Sequence, residues 1–500
     1  MKQRGAFPPP VGWIPAIIGL LALLALSAFA IAPQYVNGKT STQVIGQTGT
    51  AGNDVAGTQG GPSSQGGGQT TTTTGPAQKG SAGITCAGGH NGGATDAGVT
   101  ATELHVASTI VDTGIGSGFL GEAASGMQAA VNEVNSSGGL CGRHVSLSTI
   151  NTGWVQAQGN NDISSYINSG SVFALVGEPD SEGLAGALST GTIDRAGIPV
   201  VGTDGMLKDQ YSDPWVWPVA ASTVTNMHII ADYAVKKLGA KSFGIVYDTK
   251  YRFGSEGAKA FDNEVFRLTG QHIPGYDKDG CPDGSRFCGI SADQTSDSDS
   301  IVAFNKGCTP ACDAVVMLLE PAPMSTWMSG ESSYKQAGKA TWYKQLFGGE
   351  PLFDDKFAQQ CAAECGGMTV WTGYHAAIQP FDAEAPVYTY SQSLKAACPS
   401  CDPHNEFTQG AYLGTRLFIE AVKRLQNHGL PLTRANLRDE LNADSFDLGL
   451  ASGPLHYGNG FPREANAGMA AFADNASGSF NGWNYLATQF LPDPARGQDF

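Results

Sequence analysis

Apolar positions between residues 98 and 206 follow two alternating periods. Residues 104–110 read as a strand, and residues 126–134 set Met127, Ala130, Val131 and Val134 on one face of a helix. The run Asn135-Ser136-Ser137-Gly138-Gly139 stops that helix, because asparagine and glycine tolerate the left-handed cap. Residues 143–150 form a second strand pattern and 173–176 a third. A helix-compatible run over 182–196 and a strand over 198–201 follow. The order βαβαβ implies a mostly parallel sheet with helices on both faces.

The same alternation reopens further along. Residues 213–218, flanked by Pro214 and Pro218, suit an extended crossing into a second lobe. A helix over 223–238 ends at Gly239, a strand covers 242–247, and a helix over 254–268 ends at Gly270. Between 274 and 300 Asp, Ser and Gly dominate, which predicts an irregular surface insertion. Strands are expected over 313–319 and 368–374, with a helix from Met324 between them. Residues 405–426 give the clearest later helix, with Phe407, Ala411, Gly414, Leu417, Phe418, Ala421 and Leu425 on one broad face. Lys423 and Arg424 stand near its C-terminus, where they suit the helix dipole. A shorter helix is expected over 432–441, and the end from 491 should be loose.

Five hundred residues exceed one core and imply two lobes. A formal charge of −16 excludes a nucleic-acid or acidic-lipid surface, since such surfaces need positive charge. Lys2 and Arg4 precede an apolar run over 11–32, and Ala28-Phe29-Ala30 supplies a small-x-small cleavage site. The run is also long enough to cross a bilayer, which takes about 20 residues. Cleaved signal and uncleaved anchor both stand at this point. No cysteine follows the run for lipid attachment, and either outcome places the remainder outside the cytoplasm. Residues 37–82, rich in Gly, Thr, Ser and Gln, can form no core and read as a spacer.

The ten cysteines agree with export. Proximity suggests the pairs Cys281 and Cys288, Cys308 and Cys312, Cys361 and Cys365, and Cys398 and Cys401, leaving Cys86 and Cys141 for each other. Zinc is the competitor at Cys308/Cys312 with Cys361/Cys365, but no histidine stands at ligand spacing there.

Three segments carry a resemblance: Gly98-Val99-Thr100-Ala101-Thr102-Glu103-Leu104, the run from Ala130 through Asn135-Ser136-Ser137-Gly138-Gly139-Leu140-Cys141-Gly142-Arg143, and Gly197-Ile198-Pro199-Val200-Val201. In this order and spacing the chain resembles extracellular solute-binding proteins of branched-chain amino-acid-type ABC transporters, of the type I periplasmic binding protein superfamily. The resemblance covers residues 98–485. It implies an α/β fold of two Rossmann-like parallel-sheet lobes joined by a multi-strand hinge. The expected division is a signal peptide or membrane anchor (1–36), a linker (37–83), the first part of lobe I (84–216), the main part of lobe II (217–372), the second part of lobe I (373–452), a third crossing and return to lobe II (453–485), and a tail (486–500).

Ligands of open parallel sheets bind beyond the carboxyl ends of the strands. Ser181, opening a helix after the strand at 173–176, can bond a ligand or, like Asp180, simply cap the helix. In the family the loop at Thr203 contacts an amino-acid carboxylate. Thr203 fits the hydroxyl role, while Asp204 brings a negative charge to that place. Relatives carry a tyrosine where Phe253 stands, so Tyr251 is the nearby hydroxyl; Glu320 lies where relatives recruit a carboxylate for the ligand ammonium. Trp154 and Tyr374 form either pocket walls or hinge packing.

The metal-helix, phosphate-loop and nucleophile-elbow motifs are absent, and the nine histidines are scattered without triad partners. The expectation is an extracellular or cell-surface binding subunit, not an enzyme, with no cofactor and no metal. It would deliver a small polar solute (amino acid, amide or related) to a membrane ABC permease, as a monomer or weak dimer. The alternative is a membrane-anchored, ligand-sensing receptor without transport.

Overall fold

The computed structural model describes residues 85–86, 90–273, 287–292, 298–338, 342–443, 445–458, 468–474, 480–496 and 498–499. All belong to one compact unit spanning 76–500. The apolar run 11–32, the spacer 37–82 and Cys281 lie outside the described residues.

Five parallel strands build the first sheet: β1 (Glu103–Ile110), β2 (His144–Asn151), β3 (Ala174–Val176), β4 (Val200–Thr203) and β5 (Val216–Pro218), in the order β2-β1-β3-β4-β5. β3 and β4 are buried at every position, so they read as unbroken apolar runs. The second sheet repeats the order. Strands β6 (Phe243–Asp248), β7 (Phe287–Ala292), β8 (Cys312–Leu318), β9 (Tyr343–Gly348) and β10 (Thr369–Trp371) lie parallel as β7-β6-β8-β9-β10. A small ribbon pairs β11 (Ser445–Phe446) with β12 (Leu455–His456). Strands β13 (Met469–Asp474) and β14 (Phe480–Asn484) then extend the second sheet antiparallel beyond β10. The protein is therefore a two-lobed α/β fold, with the chain crossing after β5 and again after β10.

Several expectations are corrected. The stretch 274–300 is not wholly irregular, because β7 pairs with β6 from Phe243↔Phe287 to Asp248↔Ala292. β7 is an edge strand of the second sheet. The helix expected over 182–196 is two helices, Ser181–Ser189 and Thr192–Ala196, parted where Gly191 adopts φ +65°. The end from 491 is held rather than loose: buried His228 pairs with Asp493 (3.0 Å) and Asp499 (2.9 Å). A transmembrane helix was also expected, and no helix among the described residues is long and apolar enough to cross a membrane. The 22-residue helix Glu406–Asn427 has the length but carries Glu406, Arg416, Glu420, Lys423 and Arg424. Disulfides join Cys86 to Cys141, Cys308 to Cys312, Cys361 to Cys365 and Cys398 to Cys401.

Helix Glu406–Asn427 packs on the first lobe through glycines. A Cβ on Gly202 would stand 2.0 Å from Gly414 Cα, and one on Gly126 would stand 2.2 Å from Thr408 O. Backbone thus meets backbone, which no side chain permits. Gly202→Ala should cost about 2–4 kcal/mol in chemical denaturation, combining overpacking with a φ of +83°. Gly170→Ala, at φ +62° with open space around it, should cost only about 1–2 kcal/mol.

Candidate functional site

The order 2-1-3-4-5 places a switch point beside the first strand of each sheet, where neighbouring loops diverge and leave a crevice. The loops after β2 and β3 carry Trp154 and Ser181, β4 ends in Thr203 with Asp204 next, and the loops after β6 and β8 carry Tyr251 and Glu320. One apolar cluster runs across the cleft, joining Phe119, Trp154 and Met206 to Tyr251 and Phe253.

Trp154 is the central contact. Its ring stacks on Tyr251 with centroids 4.1 Å apart and lies 6.1 Å from Phe253. Its Nε1 donates to Ser181 Oγ (3.2 Å). Its backbone is left-handed at φ +66°, a conformation that costs a tryptophan about 1–3 kcal/mol. Asp180, not Ser181, caps the following helix by accepting from Gly183 N (2.9 Å), which leaves the Ser181 hydroxyl to face Trp154 and Met206 Sδ (3.8 Å). Polar contacts add to the closure: Arg252 N donates to Glu182 Oε1 (2.7 Å), and the Arg252 guanidinium pairs with Asp209 (2.7 Å).

Deeper, near the hinge, a small chamber is lined by Glu178, Asp204, Glu350, Tyr374, Glu406 and Phe407, among others. With the lobes in contact its volume is about 10 Å³, space for about one water. Asp204 Oδ1 accepts from Met206 N (3.1 Å) and Gln210 Nε2 (2.9 Å), while Oδ2 has no partner. Glu350 Oε1 accepts from Asn226 Nδ2 (2.7 Å), and Oε2 has none. Neither oxygen of Glu406 makes a full hydrogen bond, although the Gly373 backbone and the Thr372 side chain stand close enough to favour its ionised form. Glu178 is saturated, accepting from Thr109 N (3.0 Å), Ser108 Oγ (3.2 Å) and the Thr109 hydroxyl. Burial pushes the Asp204 carboxyl up to about 7 and Glu350 up to about 8, with Asp204 adding to the shift of Glu350. Burial and then Glu350 raise Glu406 well above the carboxylate range.

The proposed residues thus fall into two groups. Trp154, Ser181, Tyr251 and Phe253 meet at the cleft mouth, and Asp204 and Tyr374 line the chamber. Thr203 Oγ1 is buried without a partner at the end of β4. Glu320 stands apart at the start of helix Pro321–Gln336, fully buried; burial and then Asp248 raise its pKa. Sequence reasoning missed Glu350 and Glu406. A signal for Glu350 existed: Glu178-Pro179, Glu320-Pro321 and Glu350-Pro351 each follow the carboxyl end of a parallel strand. A proline after each glutamate removes the next backbone N–H, so that donor cannot quench the carboxylate. Glu406 is a helix-start acid, ordinary by sequence.

A further cluster, Asp355, Asp402 and His404, brings its ligand atoms within 4.8 Å of one another, with His404 Nδ1 2.8 Å from Asp355. Trp483 Nε1 also donates to Asp355 (2.9 Å), so the group is already internally bonded.

Two repeated lobes with a polar chamber at their hinge define a bilobed binding protein. The chain belongs to the periplasmic binding protein family, which it matches over residues 103–473. Members of this family bind solutes outside the cytoplasm without transforming them, so the chain is not an enzyme. Solved structures share the fold. An extracellular ligand-binding receptor from Verminephrobacter eiseniae has 16% identity and a TM-score of 0.60, covering 74% of this chain and 98% of its own. A branched-chain amino acid transporter substrate-binding protein from Streptococcus pneumoniae, in complex with isoleucine, has 15% identity and a TM-score of 0.59, covering 78% and 100%. A fatty acid ABC transporter substrate-binding protein from Thermomonospora curvata has 14% identity and a TM-score of 0.61, covering 80% and 95%. A search of curated protein sequences finds no significant match.

The buried carboxyls predict a pH dependence of stability. Asp204 and Glu350 keep their protons in the folded state up to about pH 7 and 8, whereas the unfolded chain releases them near pH 4. Folding therefore takes up protons between those limits, and stability falls as pH rises from 4 towards 8. The thermal midpoint should drop by about 5 °C or more from pH 5 to pH 8. In an Asp204→Asn, Glu350→Gln double variant the drop should be clearly smaller, as scanning fluorimetry across that range would record.

Proposed function

We propose that the protein is the solute-binding component of an ABC importer, taking a small polar solute between its lobes and presenting the closed form to a membrane permease. The observation that carries this reading is the Trp154–Tyr251 stack. A strained residue of the first lobe closes face to face on an aromatic of the second, over a hydroxyl (Ser181) and beside a loop whose own hydroxyl (Thr203) has no partner. Transport by relatives of the same fold, one bound to isoleucine and one named for fatty acids, supports the importer role and leaves ligand chemistry to this chain's own residues.

Ligand selects the closed form only through contacts that exist there. Removing the stack by Tyr251→Ala takes away about 0.5–1.5 kcal/mol of interlobe contact, and so should weaken solute binding about 2- to 12-fold. Scattering should report a more open average shape. Thr203→Val keeps the side-chain shape and removes an unpartnered hydroxyl, so the thermal midpoint should hold or rise while calorimetric affinity falls. Unchanged affinity in both variants, with the fold intact, would reject the cleft as the ligand site. Deleting the gene should abolish uptake of the bound solute.

A further inference from the structure

We propose that the hinge chamber selects a small organic cation, a primary amine or diamine without a free carboxylate, held by Asp204, Glu350 and Glu406. This rests on the reading that the interlobe cleft is the ligand site, and it goes beyond that reading by naming the ligand's charge.

Three observations carry it. Each acid comes from a different element: Asp204 from the loop after β4, Glu350 from the turn after β9, and Glu406 from the first turn of helix Glu406–Asn427. All three are at least nine-tenths buried, and together they leave four carboxyl oxygens without a hydrogen-bond partner. Buried polar atoms are paired almost everywhere in folded proteins, and an acid with no partner is costly. The Gly373 backbone and the Thr372 side chain stand near Glu406, and Ser181 near Asp204, yet none of them closes a hydrogen bond on these oxygens. The fourth lining acid, Glu178, shows the contrast, since Ser108 and Thr109 satisfy it completely.

The second observation is the missing counter-charge. No lysine, arginine or histidine is among the described residues lining the chamber. Arg252, in the cleft wall, is committed to Asp209 and Glu256. A ligand carboxylate entering here would meet three acids and no cation, so a zwitterion gains at one end and loses at the other. An ammonium donates hydrogen bonds to whichever of these oxygens it reaches and brings the positive charge that the chamber lacks.

The third observation concerns spacing. Among the described residues, the only three metal-binding side chains with ligand atoms within 4.8 Å of one another are Asp355, Asp402 and His404. The chamber acids do not converge that closely, which disfavours a single bare metal ion and suits donors spread along an organic molecule. The chamber is too small for such a molecule while the lobes touch as they do, so entry requires the lobes to part.

The test is calorimetry on the exported domain at about pH 8, where the acids ionise most readily. The titrants are putrescine, butylamine, γ-aminobutyrate, leucine and butanediol. Putrescine and butylamine should bind, with γ-aminobutyrate, leucine and butanediol at least tenfold weaker. Glu350→Gln and Glu406→Gln should each weaken putrescine at least tenfold while the thermal midpoint holds or rises, a combination that a merely structural role would not give. Asp204→Asn supplies a third variant should either glutamine change impair folding. Tighter binding of leucine or γ-aminobutyrate, sensitive to Tyr251→Ala, would overturn the cation proposal and leave the cleft intact. Amine binding indifferent to all three acids would overturn the chamber as its site. Silence from all five titrants, with the fold verified, would overturn both readings.

Discussion

The contact between Gly202 and Gly414 fixes the geometry on which the site depends. Because neither residue has a Cβ, helix Glu406–Asn427 lies against the end of β4 at backbone distance. Two residues beyond Gly202 the loop presents Asp204. Eight residues before Gly414, about 12 Å along the helix, stands Glu406. Close approach at the glycines therefore sets how far these two acids lie from each other, and the Gly126–Thr408 contact fixes the helix at a second point. Any larger residue at these places would lift the helix and open the chamber from below.

The acids also constrain one another. Burial raises the pKa of Asp204, Glu350 and Glu406 first; Asp204 then adds to the shift of Glu350, and Glu350 to that of Glu406. A carboxylic acid that is neutral can be buried at tolerable cost, but it still wants a partner for its free oxygen and its proton. The fold supplies Gln210 and Asn226 on one side of Asp204 and Glu350 and nothing on the other. Half-satisfied networks of this sort are the least economical interior a protein can have unless something else completes them.

Much of the architecture was legible because parallel strands buried on both faces, such as β3 and β4, have no alternative to apolar runs, and because helices end at glycines that adopt positive φ. Reading failed where burial is partial. β9 spells Tyr-Lys-Gln-Leu-Phe-Gly, with only its last three residues fully buried, so its pattern is too short to register. Helix Ala385–Ala397 buries only Val387, Tyr390 and Leu394. β7 is hidden in polar surroundings at a sheet edge. The site divided in the same way: Asp204 stood out as a charge in an otherwise neutral loop, whereas Glu406 looked like any acid at a helix start. Its isolation arises from tertiary packing, which local spacing does not encode. Glu350 lay between these cases, since the repeated Glu-Pro dipeptides tie it to Glu178 and Glu320, yet only their surroundings separate a saturated glutamate from a free one.

The polar and aromatic contacts across the cleft are individually small. An aromatic stack contributes about 0.5–1.5 kcal/mol, and half-exposed ion pairs such as Arg252–Asp209 and Lys356–Glu122 contribute about 0–1 kcal/mol each. Against them stand the strain in Trp154, about 1–3 kcal/mol, and whatever ionisation the chamber acids undergo as pH rises. The apolar cluster shared by the two lobes and the hydrogen bond from Arg252 N to Glu182 add to the closed side. A ligand that supplies about 3 kcal/mol of contact confined to the closed form shifts the population about 150-fold towards it. A left-handed tryptophan and unpartnered buried carboxyls are both departures from a cleft optimised for its own stability, which leaves contact energy for a ligand to supply.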